Sequence, residues 1–173
     1  MKTTAIKLFG ILLLSLTTFS CSPYFTDDMS EEVGTTVQNV NYTNLELDLL
    51  KGINNVRKEN NLVPLETFNV ISAIAEEHSK YMLEIGEPSK ENEASRASKL
   101  AINANAANSA EIINTSTASG TQILTDWKND DACISEITNK EYTHFGIGVE
   151  TDANGQHYIT LIFIEEFTSK FSN

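Results

Sequence analysis

The sequence predicts an α+β domain in which helices cover both faces of a small, mostly antiparallel sheet. Two observations lead to this prediction. The segment 159–164 carries apolar residues on both of its faces, so this strand is expected at the centre of a sheet with a layer on each side. Several earlier stretches place apolar residues at helical spacing, which indicates amphipathic helices. Together these features predict a three-layer α-β-α sandwich.

The first half of the chain is expected to be helical. A cap at Thr43 or Asn44 begins the first helix, which continues to Asn60 because leucine, isoleucine and valine recur at a 3.6-residue period. A second amphipathic helix is predicted over 69–85, followed at once by a glycine that stops it. A third, weaker helix is predicted over 92–101.

The second half adds strands and two shorter helical segments. A strand is predicted over 110–114, a helix over 120–129 and a helical turn over 132–137. The two closing strands are centred on 145–149 and 158–164. The link D-A-N-G between them predicts a tight hairpin in which Asn-Gly takes positive φ at both central positions.

The N-terminus has the layout of an export signal. Lys2 and Lys7 precede or flank the apolar run L-F-G-I-L-L-L-S-L, which is too short to remain as a membrane-spanning helix. The residues T-T-F-S then lead to Cys21, as in a bacterial lipoprotein signal, where cleavage leaves an acylated cysteine. We therefore predict that residues 1–20 are removed and that Cys21 carries the lipid. An ordinary secretory signal with an incidental cysteine is the alternative.

Composition sets the remaining boundaries. Residues 21–42 show no helical or alternating period and are rich in acidic and polar residues, so a flexible tether is predicted before a domain over 43–173. The net charge of -12 disfavours nucleic acid and anionic lipid as partners, although solubility alone also explains it. With Cys21 acylated, Cys133 is the only cysteine left, so no internal disulfide is expected.

Four stretches, in sequence order, resemble motifs of the CAP superfamily, the cysteine-rich secretory, antigen 5 and pathogenesis-related proteins, also called SCP-like. N-N-V-R-K-E-N-N-L-V-P-L resembles the family's N-x-x-R-x-x-x-G-L-x-P-L, and A-E-E-H-S-K-Y-M resembles A-x-x-H-S-x-D-M. The segment from Trp127 to Val149 resembles the stretch that ends in H-I-G-V-G-V, and H-Y-I-T-L-I-F resembles Y-W-T-Q-x-F. The resemblance covers about residues 44–165 and implies an α-β-α sandwich. More narrowly, these stretches resemble a short bacterial lipoprotein branch of the superfamily.

The resemblance also implies a cleft. Bacterial members hold a histidine after the second helix, a glutamate in a strand and a histidine after the tryptophan, and these can bind a divalent metal. The glutamate matches Glu111, but the histidine positions match Lys90 and Cys133. Because both imidazoles are missing, we expect a degenerate cleft with no metal or other cofactor. In it Lys90 would pair with Glu111, and Cys133 would be a half-buried, unreactive thiol.

Three functional hypotheses follow. The first is a lipid-anchored, non-enzymatic protein of a bacterial envelope, at the outer membrane or cell surface. As a monomer, it would bind a cell-wall, peptide or lipid ligand near Lys90, Glu111 and Cys133. The second is a metal-dependent or His/Glu hydrolase that uses Glu111 with His78 or His144, although both histidines also fit structural roles. A histidine ring nitrogen within about 4 Å of the Glu111 carboxylate in an open cleft would favour it. The third is a purely structural envelope protein, with Glu111 buried and no cleft beside it.

Overall fold

The computed structural model describes residues 39–168, and the predicted signal peptide, Cys21 and most of the predicted tether lie outside this range. Within 39–168, no helix is long and apolar enough to cross a bilayer. The elements are α1 (Asn44–Glu59), β1 (Glu66–Thr67), α2 (Asn69–Ile85), α3 (Glu93–Asn103), β2 (Ala106–Ser116), α4 (Gly120–Asn129), α5 (Asp131–Ile137), β3 (His144–Thr151) and β4 (His157–Glu166).

The four strands form one sheet in the order β1-β3-β4-β2. Strand β4 lies inside the sheet and pairs antiparallel with both β3 and β2, while the two-residue β1 pairs parallel with β3. Helices α2 and α3 pack on one face, and α1, α4 and α5 pack on the other. The predicted sandwich, the mostly antiparallel sheet and the central position of β4 are therefore confirmed.

Alternating side chains of the sheet enter two separate cores. The larger core lies against α1, α4 and α5 and buries Trp127. Its fully buried sheet residues are Phe145, Ile147, Ile159, Leu161 and Phe163. The smaller core lies against α2 and α3 and contains Ile162 and Ile164. Because successive strand residues point to opposite faces, an apolar run such as that of β4 can serve both cores.

The N-terminus of α1 is held by a capping box. Thr43 is the cap, and its backbone N–H and hydroxyl both donate to the Glu46 carboxylate, at 2.7 and 2.8 Å. The other carboxylate oxygen of Glu46 accepts a hydrogen bond from the Val149 N–H at 2.9 Å. The buried Glu46 side chain therefore both caps the helix and ties it to β3.

Arg57 is buried, and within residues 39–168 its hydrogen-bond acceptors are backbone carbonyls and not carboxylates. Its Nε donates to the Val63 carbonyl at 2.9 Å, and Nη1 donates to the carbonyls of Ile137 and Asn139 at 3.0 and 2.7 Å. Arg57 lies on the buried face of α1, and its role as the anchor of two loops was not predicted from the sequence. The cation stabilises the chain after α1 and the chain after α5, because it satisfies carbonyls that would otherwise lack donors.

The hairpin between β3 and β4 forms where it was predicted, but the predicted turn type is wrong. Only Gly155 has a positive φ, of 83°, and Asn154 does not. The N–H of Gly155 donates to the Asp152 carbonyl at 3.1 Å, and the Asp152 carboxylate accepts from the backbone N–H groups of Asn154 and Gln156, both at 2.8 Å. These bonds lower the pKa of Asp152. The side chain of Asp152 thus selects a longer loop with one left-handed glycine.

Helix α2 lies directly on β3, where two glycines allow the close approach. A Cβ on Gly146 would be 2.4 Å from the Ser72 nitrogen, and one on Gly148 would be 2.3 Å from the Glu76 nitrogen. Ser72 Oγ accepts from the Ile147 N–H at 3.1 Å, and Ser79 Oγ donates to the Gly148 carbonyl at 2.8 Å. The glycines and serines together set the distance between the helix and the sheet.

Gly148→Ala is expected to destabilise the domain by about 1 to 3 kcal/mol, because the new methyl group meets backbone atoms of α2 that cannot move alone. Urea unfolding followed by circular dichroism measures this change. Gly120→Ala is the matched control, since its nearest neighbour is the flexible end of Leu45 at 3.0 Å. Equal unfolding midpoints for the two variants would show that the close approach is not needed.

Candidate functional site

The candidate site is a groove of about 250 Å³ between α2 and α3. It is lined by Ile74, Glu77, His78 and Tyr81 on one side and by Asn92, Ser95, Arg96 and Lys99 on the other. Each set follows the spacing i, i+3, i+4, i+7, so one stripe of each helix faces the groove. We call this site the α2–α3 groove.

His78 forms part of the groove and is also anchored to the sheet. The residue is only 4% exposed, and its Nδ1 lies 3.0 Å from the Thr160 hydroxyl on β4. Its Nε2 is covered by neighbouring atoms and has no hydrogen bond of good geometry within residues 39–168, although the Ser89 backbone lies beside the ring. Burial lowers the pKa of the ring and the Arg96 guanidinium lowers it further, whereas Glu111 and the Ser89 backbone oppose this shift. The ring is therefore neutral at pH 7.

Arg96 forms a buried bidentate ion pair with Glu111. Its Nε and Nη2 donate to the two carboxylate oxygens, both at 2.7 Å, and the side chains are 7% and 3% exposed. The Arg96 Nη1 also donates to the Glu91 carbonyl at 2.6 Å. The guanidinium thus connects α3, β2 and the loop before α3.

The predicted pairing of Lys90 with Glu111 is wrong. Lys90 is exposed in the loop before α3, and Arg96 occupies the position beside the carboxylate. Arg96 lies on the inner face of α3, one turn before the buried Leu100, so its side chain is directed towards β2. The sequence alone did not show whether Lys90 or Arg96 contacts Glu111, because that depends on which face of α3 is turned towards β2.

Cys133 lies on the other side of the sheet from Glu111. It is half-buried in α5 and packs against the larger core, which also contains Ile112. Since Glu111 and Ile112 are adjacent in β2, their side chains point to opposite faces. Lys90, Glu111 and Cys133 therefore do not form the shared cleft that was expected. Burial, together with Asp130, raises the pKa of the Cys133 thiol to about 11.

His144 belongs to a third location, at the start of β3. Its ring nitrogens lie 3.8 Å from a Glu66 carboxylate oxygen and 3.9 Å from one of Glu166, and its ring centroid is 5.8 Å from that of Phe68. Within residues 39–168, the Glu111 carboxylate accepts hydrogen bonds from Arg96 and from neither histidine. Across the same part of the chain, no cluster of three His, Cys, Asp or Glu residues could hold a metal ion.

Of the residues that line the groove, only His78 was singled out from the sequence. The Tyr81 ring stacks on His78 with centroids 6.0 Å apart, and its hydroxyl donates to the Glu91 carboxylate. Lys99 donates to both carboxylate oxygens of Glu77, at 2.9 and 2.7 Å, and so bridges the two helices. The repeated i, i+3, i+4, i+7 spacing of polar residues was the signal that could have identified them.

The Arg96–Glu111 pair is expected to be strongly coupled. Arg96→Met should cost about 3 to 5 kcal/mol, because it leaves a buried carboxylate without its cation, whereas Arg96→Met with Glu111→Leu should recover most of the loss. Urea unfolding of both single variants and the double variant provides the coupling energy. Additive losses would mean that the two side chains do not stabilise each other.

Comparison with known proteins agrees with this architecture. The model of the cysteine-rich secretory protein family, CAP, matches residues 50–164. An outer surface protein of Borrelia burgdorferi is similar with a TM-score of 0.66 and 14% identity over 74% of this chain and 97% of that chain. A search of curated proteins found no match.

Two further solved structures come from other bacteria. A cysteine-rich secretory protein of Staphylococcus aureus has a TM-score of 0.60 and 23% identity over 71% of this chain and 38% of that chain. An extracellular SCP-domain protein of Bacillus anthracis has a TM-score of 0.62 and 19% identity over 74% of this chain and 45% of that chain. These likenesses concern the fold, while the family match covers most of the domain. The chain therefore belongs to the CAP, or cysteine-rich secretory protein, family.

Proposed function

We propose that this protein is a monomeric, lipid-anchored CAP-domain protein of a bacterial cell envelope, which binds a ligand in the α2–α3 groove without catalysing a reaction on it. The observation that carries the proposal is the groove itself, a space of about 250 Å³ lined mostly by polar and charged side chains of two helices. Concave sites with a few convergent polar groups are the usual places where proteins bind small ligands.

The contacts of Glu111 favour binding over catalysis. Both of its carboxylate oxygens accept hydrogen bonds from Arg96, so the carboxylate is not available as a general base. A hydrolase built on Glu111 with His78 or His144 is less well supported, since neither ring is hydrogen-bonded to that carboxylate. The burial of Glu111 agrees with the hypothesis of a purely structural protein. That hypothesis also requires that no cleft lies beside Glu111, whereas a groove lies beside its partner Arg96, which favours a binding role.

The envelope location is supported by the sequence before the domain. A basic start, a short apolar run and Cys21 form the pattern of a lipoprotein signal. The similar structures include an outer surface protein and an extracellular protein, by the names those proteins carry. A lipid at Cys21 would place the groove outside the membrane it is attached to, where cell-wall, peptide or lipid ligands are within reach.

Blocking the groove is expected to abolish retention of the protein on isolated envelope material. Ser95→Trp fills the groove from the exposed face of α3, while Ser98→Trp places the same side chain on an exposed position that does not line the groove. Retention is measured by co-sedimentation with the envelope fraction, in a detergent that releases the lipid anchor from the membrane. Equal loss in both variants, or retention by Ser95→Trp, would contradict binding through the groove.

Cys21→Ser is expected to move the full-length protein from the detergent phase to the aqueous phase in a Triton X-114 partition, because the acylated side chain is lost. Cys133→Ser is the matched control and should stay in the detergent phase, since Cys133 packs in the domain core. Mass spectrometry of the N-terminal peptide identifies the acyl groups. A Cys21→Ser protein that remains in the detergent phase would rule out this anchor.

A further inference from the structure

Strand β2 lies at one end of the sheet, so only one of its two sides is paired. The strand is 11 residues long and pairs with β4, and among residues 39–168 no strand lies on its other side. In an antiparallel pair, every second residue directs its backbone N–H and C=O groups away from the partner strand. We call the unpaired side of this strand the β2 edge.

The hydrogen bonds of β3 identify the residues whose backbone groups face the β2 edge. The N–H of Ile147 donates to the Ser72 hydroxyl, so it points away from β4. Ile147 lies opposite Leu161, so the backbone groups of Leu161 point to β2, where Ile112 lies opposite them. Ile112 is therefore bonded to β4. The alternation then assigns the following residues to the β2 edge: Ser109, Glu111, Ile113 and Thr115.

The backbone at the β2 edge is exposed. The Glu111 side chain is only 3% exposed, whereas the residue as a whole is partly exposed, so its exposed atoms belong to the backbone. Within residues 39–168, no loop or helix donates to or accepts from the backbone groups of the four edge residues. The β2 edge thus offers a row of N–H donors and C=O acceptors to an additional strand.

The β2 edge also lacks the features that usually prevent strand addition. Natural edges are protected by lysine, proline, bulges or charged side chains. The segment 109–116 contains no Lys, Arg or Pro, and its one charged side chain, Glu111, is buried against Arg96. The irregularity of pairing lies before this segment, between Ala106 and Asn108.

Helix α3 leaves space beside the β2 edge. Helix α2 packs on β3 and β4, and α3 packs on β2, so the flank of α3 that faces away from α2 lies beside the edge. The residues that line the α2–α3 groove mark the other flank, and the helical period places Glu93, Ala97 and Ala101 on the edge side. Two of these three side chains are single methyl groups, which leave room for a strand.

The charged groups around the β2 edge are acidic. Glu93 is exposed on the flank of α3, and Glu165 and Glu166 border a recess of about 380 Å³ at the start of β2. The recess also contains Ala107 of β2 and Phe167, whose ring is 60% exposed. Carboxylates next to an exposed aromatic ring suit a lysine or arginine side chain. A second copy of this chain, with a net charge of -12, would instead bring like charges together.

We infer that the β2 edge binds an extended, basic segment of a partner polypeptide, which adds a strand to the sheet. The backbone of this segment pairs with the four edge residues, and one of its basic side chains enters the recess between Glu165 and Phe167. The β2 edge and the α2–α3 groove lie on opposite flanks of α3, so this interaction surface does not depend on the proposed function.

The edge is tested first by amide hydrogen exchange of the full-length, ¹⁵N-labelled protein in a zwitterionic detergent. Exchange is expected to be about tenfold or more faster at the four edge residues than at Ile112 and Asn114, whose N–H groups face β4. Slow exchange at the edge residues of the free protein would overturn the inference, because the edge would already be occupied.

The partner class is tested by adding the acetylated and amidated peptide Lys-Thr-Val-Thr-Val-Thr-Lys to the same sample. Exchange at the four edge residues is expected to slow saturably, by about tenfold or more. The same peptide with glutamate in place of both lysines is the charge control. The lysine peptide with N-methyl groups on its five central residues is the backbone control, because it keeps both charges but cannot donate those hydrogen bonds. Neither control is expected to slow exchange.

A variant of the strand tests the same contact from the side of the protein. Ile113→Pro removes an N–H that faces the edge without removing a bond to β4, so it is expected to weaken binding of the lysine peptide about tenfold or more. Ile113→Val is the matched control and should bind as the wild type does. Circular dichroism verifies the fold of both variants, and the N-methylated peptide decides the question without any variant.

The other outcomes would each overturn the inference. Equal binding of the lysine and glutamate peptides would exclude a basic partner, and equal binding of the N-methylated peptide would exclude strand addition. Protection of the edge residues that rises with protein concentration in the absence of peptide would show that the occupant is a second copy. No change with the lysine peptide would show that the edge does not take up a basic strand.

Discussion

The contact between α2 and β3 is the constraint on which the candidate site depends. Gly146 and Gly148 bring the helix so near the strand that a methyl group on either would overlap the α2 backbone. At this distance Ser79 reaches the Gly148 carbonyl, and His78 reaches Thr160 on the next strand. A larger spacing would leave these buried polar groups without partners, which is unfavourable in an apolar interior. The glycines therefore act on the site indirectly, through the hydrogen bonds that orient the imidazole.

A second set of interactions positions α3 and so forms the groove beside His78. Arg96 ties α3 to β2 through Glu111 and to the preceding loop through the Glu91 carbonyl. Lys99 links α3 to Glu77 of α2 by a bridge at the surface, so the two helices are joined at the mouth of the groove. The side chains that line the space between the two helices are mostly polar, whereas the inner sides of the helices share the smaller apolar core. The same interactions pair the charged side chains that line the groove.

The elements of the fold could be predicted well because their signals are local. The apolar period and the terminating glycine located α2 at 69–85, and the predicted bounds agree with Asn69–Ile85. Asn61, which stands where the family motif has glycine, takes a positive φ of 59° just after α1. Weaker local signals were less reliable: β2 extends to 11 residues because pairing with β4 stabilises positions that have no strand pattern of their own. The hairpin type was predicted wrongly because it depends on the Asp152 carboxylate, which accepts hydrogen bonds within the loop, and not on the Asn-Gly pair.

The sequence by itself determined the layers, the order of the main elements, the family and the loss of two expected imidazoles, since each depends on residue type and spacing along the chain. Only the tertiary structure decided which residues share a site. It placed Glu111 and Cys133 on opposite faces of the sheet, replaced Lys90 by Arg96 as the partner of Glu111, and brought His78 to Thr160 on β4. These outcomes depend on which side of a helix or strand a residue occupies and how closely two elements pack. Such distances are set by contacts between segments far apart in sequence, so a linear pattern does not contain them.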